Sequence, residues 1–189
     1  MNNIAIFASG SGTNAQRLIE HFVPIPNTNI KVLLTNKKDA GVVERAKKNG
    51  IPVKVFDKED FYNTNNILEF LQKEEIDWII LAGFLWLVPL NLVKNYPNRI
   101  VNIHPALLPK YGGKGMYGMN VHKAVIQANE KESGITIHYI NGEYDKGDII
   151  FQAKCSINPE DTPEILAQKI HELEYEHFPV VMEKLILGK

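Results

Sequence analysis

Apolar and polar residues alternate in blocks along the chain. Residues 4–8 (IAIFA) form an apolar run of strand length; after the polar stretch SGSGTN, Ala15, Leu18, Ile19 and Phe22 recur at the spacing of one helix face. This predicts strand, glycine turn, helix. A second strand over 30–35, a helix over 42–49 closed by Gly50 and a third strand over 51–56 follow. Residues 60–75 carry Ile67, Leu68 and Leu71 at helical spacing, and 77–82 (DWIILA) are almost wholly apolar, as in strands buried on both faces. The alternation predicts an α/β fold, a doubly wound, mostly parallel open sheet with helices on both faces. In such folds ligands gather at the carboxyl ends of the strands.

Beyond this point the pattern predicts a short helix over 89–96, a strand over 99–103 and a long loop over 105–120. A helix over 121–129, strands over 134–140 and 148–157, and a helix over 163–187 interrupted at Pro179 complete the chain. A loop as long as 105–120 inside a compact domain points to function.

Composition narrows the classes. A chain of 189 residues fits a single domain that needs no disulfide or metal to hold it together. The net charge of −1 supplies no basic field for nucleic acid. The single cysteine, Cys155, cannot close an internal disulfide and reads as a structural thiol in an apolar stretch. The start MNNIAIFASG lacks a basic signal-peptide region, and no later run reaches membrane-spanning length, so a cytoplasmic location and no membrane partner are expected.

Two local patterns carry chemistry. The turn Ser9-Gly10-Ser11-Gly12-Thr13-Asn14 places backbone N–H groups at a helix start directly after a strand, which suits an anion. Asn36, Lys37 and Lys38 occupy the region where a dinucleotide fold needs an acidic residue for ribose, so a monophosphate fits better. A ligand-free turn with Thr13 as helix N-cap gives the same pattern. In Asn102-Ile103-His104-Pro105, at the end of a predicted strand, Asn102 and His104 share one face. An amide and an imidazole placed so can donate to a developing oxyanion, although a lone histidine is also a common structural residue. The acidic, glycine-rich stretch over 141–148 reads by itself as a solvated hairpin loop. Glu172, Glu174 and Glu176 read as the solvent face of a helix, and His171 and His177 have no metal-ligand spacing, so no metal is expected.

LAGF at 81–84, NIHPALLPKYGG at 102–113 and DKGDII at 145–150 occur in the order and spacing of folate-dependent formyltransferases. Over essentially its whole length the chain resembles the glycinamide ribonucleotide formyltransferase family. That resemblance implies transfer of the formyl group of 10-formyltetrahydrofolate, the co-substrate, to the amine of 5-phosphoribosyl-glycinamide in purine synthesis. It assigns catalysis to Asn102, His104 and Asp145, with His104 kept protonated by the carboxylate. The ribonucleotide is assigned to Gly12, Thr13 and Asn14 at its phosphate, and to His171, Glu172, Leu173 and Glu174, with Glu174 at the glycinamide end. Folate is assigned to Lys58, Leu85, Trp86, Leu87 and Val88, to Asn102, and to Asn141, Gly142, Glu143, Tyr144 and Asp145.

On this reading the single domain, 1–189, has a Rossmann-like phosphate-binding half over 1–100 and a folate-binding, catalytic half over 101–189. The expected partners are small-molecule substrates, with no nucleic acid and no membrane, in a monomer or weak homodimer. Two departures from the family pattern stand out: Trp86 occupies a position where many members carry Arg, and the segment over 112–122 is longer and richer in glycine. His122 and His138 are left outside the catalytic set. The alternatives are a formyltetrahydrofolate hydrolase, with water as acceptor, and a non-catalytic folate- or nucleotide-binding protein on the same fold. A methionyl-tRNA formyltransferase would add a basic tRNA-binding domain to the same core.

Overall fold

A single seven-stranded sheet, in the order β3-β2-β1-β4-β5-β6-β7, organises the computed structural model, which describes residues 1–188. Strand β1 (Asn2–Phe7) lies parallel to β2 (Thr28–Thr35) on one side and to β4 (Trp78–Leu81) on the other. β3 (Val53–Val55) extends the sheet beyond β2, and β5 (Ile100–His104) continues it beyond β4, both in parallel. β6 (Glu132–Tyr139) and β7 (Ile149–Ser156) then run antiparallel. The expected doubly wound, mostly parallel sheet is therefore present, and pairing is continuous across residue 100.

Strand periodicity divides the core into two layers. Ile4 and Ile6 of β1 pack with Leu33 and Ile80 on one face, while Ala5 and Phe7 pack with Leu34 and Leu81 on the other. Apolar side chains therefore point both ways, which explains why 77–82 reads as an unbroken apolar run. Helix α1 (Thr13–Phe22) buries the stripe Ala15, Leu18, Ile19 and Phe22, and α2 (Gly41–Lys48) buries Val42 and Ala46.

The expected helix over 60–75 is in fact two pieces, a π-helical turn Glu59–Asn63 and helix α3 (Asn66–Lys73). Side chains compete with the ladder here. Asp57 Oδ1 accepts from the Asp60 N–H at 2.9 Å, and Thr64 Oγ1 donates to the Asp60 carbonyl and accepts from the Asn66 N–H, both at 3.2 Å.

A short helix α4 (Leu90–Asn95) and helix α5 (Met119–Gln127) flank β5 in sequence. The last helix, α6 (Pro163–Leu187), opens on Pro163 with Thr162 Oγ1 accepting from the Ile165 N–H, and it runs unbroken through Pro179. The break expected at Pro179 does not occur. Leu166, Ile170, Phe178, Pro179 and Met182 all lie on its buried side, and their burial offsets the hydrogen bond that Pro179 cannot make.

The chain leaves β1 toward β2 and β3 and then crosses back to β4. The strand order thus reverses beside β1, and the crevice at its carboxyl end is where a ligand site belongs.

Candidate active site

The turn after β1 is held by its neighbours. Ala8 N–H donates to Leu34 O and Ser9 N–H to Gly83 O, both at 3.1 Å, which ties it to the ends of β2 and β4. Gly12 has φ 74° and is itself the N-cap of α1, so the alternative with Thr13 as cap is not what forms. A Cβ on Gly12 would stand 2.3 Å from Val42 Cγ2, so both the left-handed backbone and the close packing require glycine. No side chain caps α1, which leaves its first N–H groups available to an anion.

Asn14, on this turn, donates from Nδ2 to Glu174 Oε2 of α6 at 2.8 Å. Glu174 is buried, not on a solvent face. Burial drives its carboxyl up to about 7, against the opposing pull of the Asn14 hydrogen bond. Asn14 Oδ1 and His122 Nδ1 are buried nearby without partners. Burial, followed by the neighbouring His171 and His104, lowers His122 to about 4.

At the end of β5, Asn102 and His104 project on the same face. His104 Nε2 lies 2.8 Å from the Tyr111 carbonyl, to which it must donate, and Nδ1 faces Asp145 Oδ1 at 3.5 Å. Neutral His104 is therefore the Nε2–H tautomer, with the Nδ1 lone pair toward Asp145. Burial lowers the imidazole below its ordinary value, and Asp145 and the Tyr111 hydrogen bond only partly offset this. Desolvation therefore works against the expected imidazolium and outweighs the pull of the carboxylate.

Asp145 itself is held by backbone. Gly113 N–H donates to its Oδ2 at 2.8 Å, and Oδ1 also lies 3.6 Å from His138 Nε2. Burial pushes its carboxyl up, while positive charge on His138 or His104, when either is protonated, and the Gly113 N–H pull it down, to a net position below the usual carboxylate range. The residue adopts φ 55°, an uncommon backbone for a non-glycine, in a loop where a Cβ on Gly147 would meet the Tyr139 carbonyl oxygen at 1.7 Å.

The residue missed in the sequence is His138. On β6 it pairs in register with Asn102 of β5, is fully buried, and donates from Nδ1 to the Tyr139 carbonyl at 2.8 Å. Its Nε2 then accepts from Asn102 Nδ2 at 3.1 Å, fixing which way the amide points and leaving the second Nδ2–H free. Only the antiparallel register, which the sequence does not reveal, brings the two together.

One cavity of about 610 Å³ joins these groups. Gly12, Thr13, Asn14, Asn102, His104, Asp145, His171 and Glu174 line it, as do Leu85 and Tyr144 of the expected folate wall. Its volume is that of a typical small-molecule site. Among the described residues no cluster of His, Cys, Asp or Glu is arranged to hold a metal, and no described helix is long and apolar enough to cross a membrane.

Residues 2–182 match the model of the formyl transferase family. The chain belongs to that family. It is 42% identical over 193 residues to the chloroplastic phosphoribosylglycinamide formyltransferase of Arabidopsis thaliana, covering 97% of this chain and 66% of that protein. It is 37% identical to the phosphoribosylglycinamide formyltransferase of Haemophilus influenzae, covering 100% of this chain and 89% of that one. The crystal structure of phosphoribosylglycinamide formyltransferase from Bacillus halodurans superposes with a TM-score of 0.87 at 39% identity, covering 97% of this chain and 95% of that one. The chain thus spans about two thirds of the plant relative and most of the bacterial ones.

For this formyl transferase the remaining expected positions lie outside the cavity wall. Trp86 packs among Phe56, Phe61, Tyr62 and Phe84, Lys58 Nζ stands 5.9 Å from its ring, and the Leu87 carbonyl accepts from Tyr62. Val88 is buried in the core beneath them. Asn141 and Glu143 hold the loop together through Lys146, and the Gly142 backbone (φ 90°) packs against Leu90. On α6, Glu172 is exposed and Leu173 packs against the core.

Proposed function

We propose that this formyl transferase moves the formyl group of 10-formyltetrahydrofolate to the amine of 5-phosphoribosyl-glycinamide, giving the formylated ribonucleotide and tetrahydrofolate in purine synthesis. The observation that carries this reading is one cavity holding both an uncapped helix start suited to a phosphate and the Asn102, His104, Asp145 group. A hydrolase would need the second and not the first. The proposed setting is the cytoplasm, with small-molecule substrates as partners.

The geometry suggests how each residue contributes. As the acceptor amine attacks the formyl carbon, charge develops on the formyl oxygen, and the free Nδ2–H of Asn102 donates to it. Neutral His104, with Nε2–H engaged by Tyr111, receives at Nδ1 the proton released by the attacking nitrogen. The imidazolium so formed sits beside Asp145 and supports the oxyanion until the proton passes to the departing folate nitrogen and the old C–N bond breaks.

Glu174 is bonded to the phosphate turn through Asn14, which favours contact with the ribose hydroxyls next to the phosphate over the glycinamide end first assigned to it. The proposed folate wall is Leu85 and Tyr144 at the cavity, with Trp86, Leu87, Val88 and Lys58 behind it and Asn141 to Glu143 at the rim. A mass-spectrometric product assay with isotopically labelled formyl donor tests the assignment. The label should appear on the ribonucleotide; label recovered only as free formate would refute it.

A further inference from the structure

A ribonucleotide phosphate is a dianion near neutral pH, yet the turn that would receive it offers backbone N–H groups and no cationic side chain. The nearby arginines are engaged elsewhere. Arg45 Nε donates to the Ser11 carbonyl at 2.8 Å, and Arg17 pairs with Glu20 at 3.1 Å while stacking on Tyr175; neither lines the cavity.

Among the described residues of the cavity wall, Lys114 is the only lysine or arginine. It stands on the loop between β5 and α5, between Gly113 (φ 98°) and Gly115 (φ 89°), where an added Cβ would meet nothing. Lys110, Lys146 and Lys154 each pair with a glutamate, at 2.8, 2.6 and 2.7 Å. Among the described residues no carboxylate is bonded to Lys114. A lysine with no bonded carboxylate, on the wall of a cavity that also holds an open helix start, suits a phosphate.

We propose that Lys114 binds the phosphate of the acceptor substrate, completing from the loop the anion site that the turn of Gly12, Thr13 and Asn14 begins. This rests on reading the acceptor as a phosphorylated amine. The placement also ties substrate to catalyst, because the same loop supplies the Tyr111 carbonyl to His104 and the Gly113 N–H to Asp145. A phosphate held by Lys114 keeps that loop in the pose that orients both.

The test compares Lys114→Ala and Lys114→Arg with the wild-type enzyme, using glycinamide ribonucleotide and its dephosphorylated riboside as acceptors. In Lys114→Ala the preference in kcat/KM for the phosphorylated acceptor should fall by roughly 10- to 100-fold, with the KM for folate unmoved and most of the preference restored in Lys114→Arg. An unchanged preference overturns the proposal, since a merely structural lysine would affect both acceptors alike. Calorimetric titration with ribose 5-phosphate supplies an arm that needs no turnover. Wild-type protein should bind it and Lys114→Ala should bind it at least about tenfold more weakly; equal affinity, or no binding by the wild type, also overturns it. Absence of formyl transfer in the wild type would instead refute the proposed function, and the titration alone would then decide on Lys114.

Discussion

His104 Nδ1 faces Asp145 Oδ1 at 3.5 Å while its Nε2 donates to the Tyr111 carbonyl, so the backbone selects the tautomer and the carboxylate faces the nitrogen left free. Burial works against protonation of that nitrogen. In the proposed mechanism this imidazole accepts the proton of the attacking amine, and Asp145 stabilises the cation that results.

Asp145→Asn should therefore lower kcat by about 10²-fold or more with the fold intact, because the charged form of His104 loses its compensating carboxylate. The check is kcat measured across pH alongside the circular-dichroism spectrum. Near-normal turnover at any pH would remove Asp145 from the mechanism.

His138→Leu keeps most of the buried volume but removes the acceptor that orients Asn102. Turnover should fall by about tenfold, the worth of one hydrogen bond in the transition state, with the KM values little changed. Steady-state kinetics normalised to the folded, active fraction distinguishes this positioning role from general destabilisation, which would lower the amount of active enzyme and leave kcat per active site unchanged.

Gly12→Ala should cost about 2 to 4 kcal/mol of unfolding free energy, since the new Cβ meets Val42 in a left-handed backbone. Urea denaturation measures it. An unchanged midpoint would mean that the turn relaxes freely and does not present a fixed set of N–H groups.

Glu174 makes stability depend on pH. Its carboxyl sits at about 7 in the fold against an ordinary 4.5, so the folded state favours the protonated form. That stabilisation is complete below about pH 4.5 and is lost as pH rises through about 7, a change on the order of 3 kcal/mol. Glu174→Gln should abolish this part of the pH dependence; denaturation midpoints at pH 5 and pH 8 that shift equally in both proteins would contradict it.

Much of this was legible in the sequence. The apolar runs of β1 and β4 and the stripe of α1 mark their elements because burial on defined faces imposes the periodicity. Asn102 and His104 are readable as a pair because two residues on one strand face need no tertiary knowledge. Asp145 reads as a solvated loop residue until the resemblance is considered, because a β6–β7 loop is placed by strand pairing and not by local pattern. His138 escaped for the same reason, its partner being set by antiparallel register. Pro179 misled because burial along α6 outweighs one missing hydrogen bond, and the tautomer of His104 depends on a carbonyl seven residues away that only the fold of the loop brings near.

The most direct measurement is the rate of tetrahydrofolate release from 10-formyltetrahydrofolate with and without glycinamide ribonucleotide. Release should be rapid only when the ribonucleotide is present, match formylated product one for one, and fall by about 10²-fold or more in His104→Ala. Release at full rate without the ribonucleotide, with formate as the product, would contradict formyl transfer to the ribonucleotide.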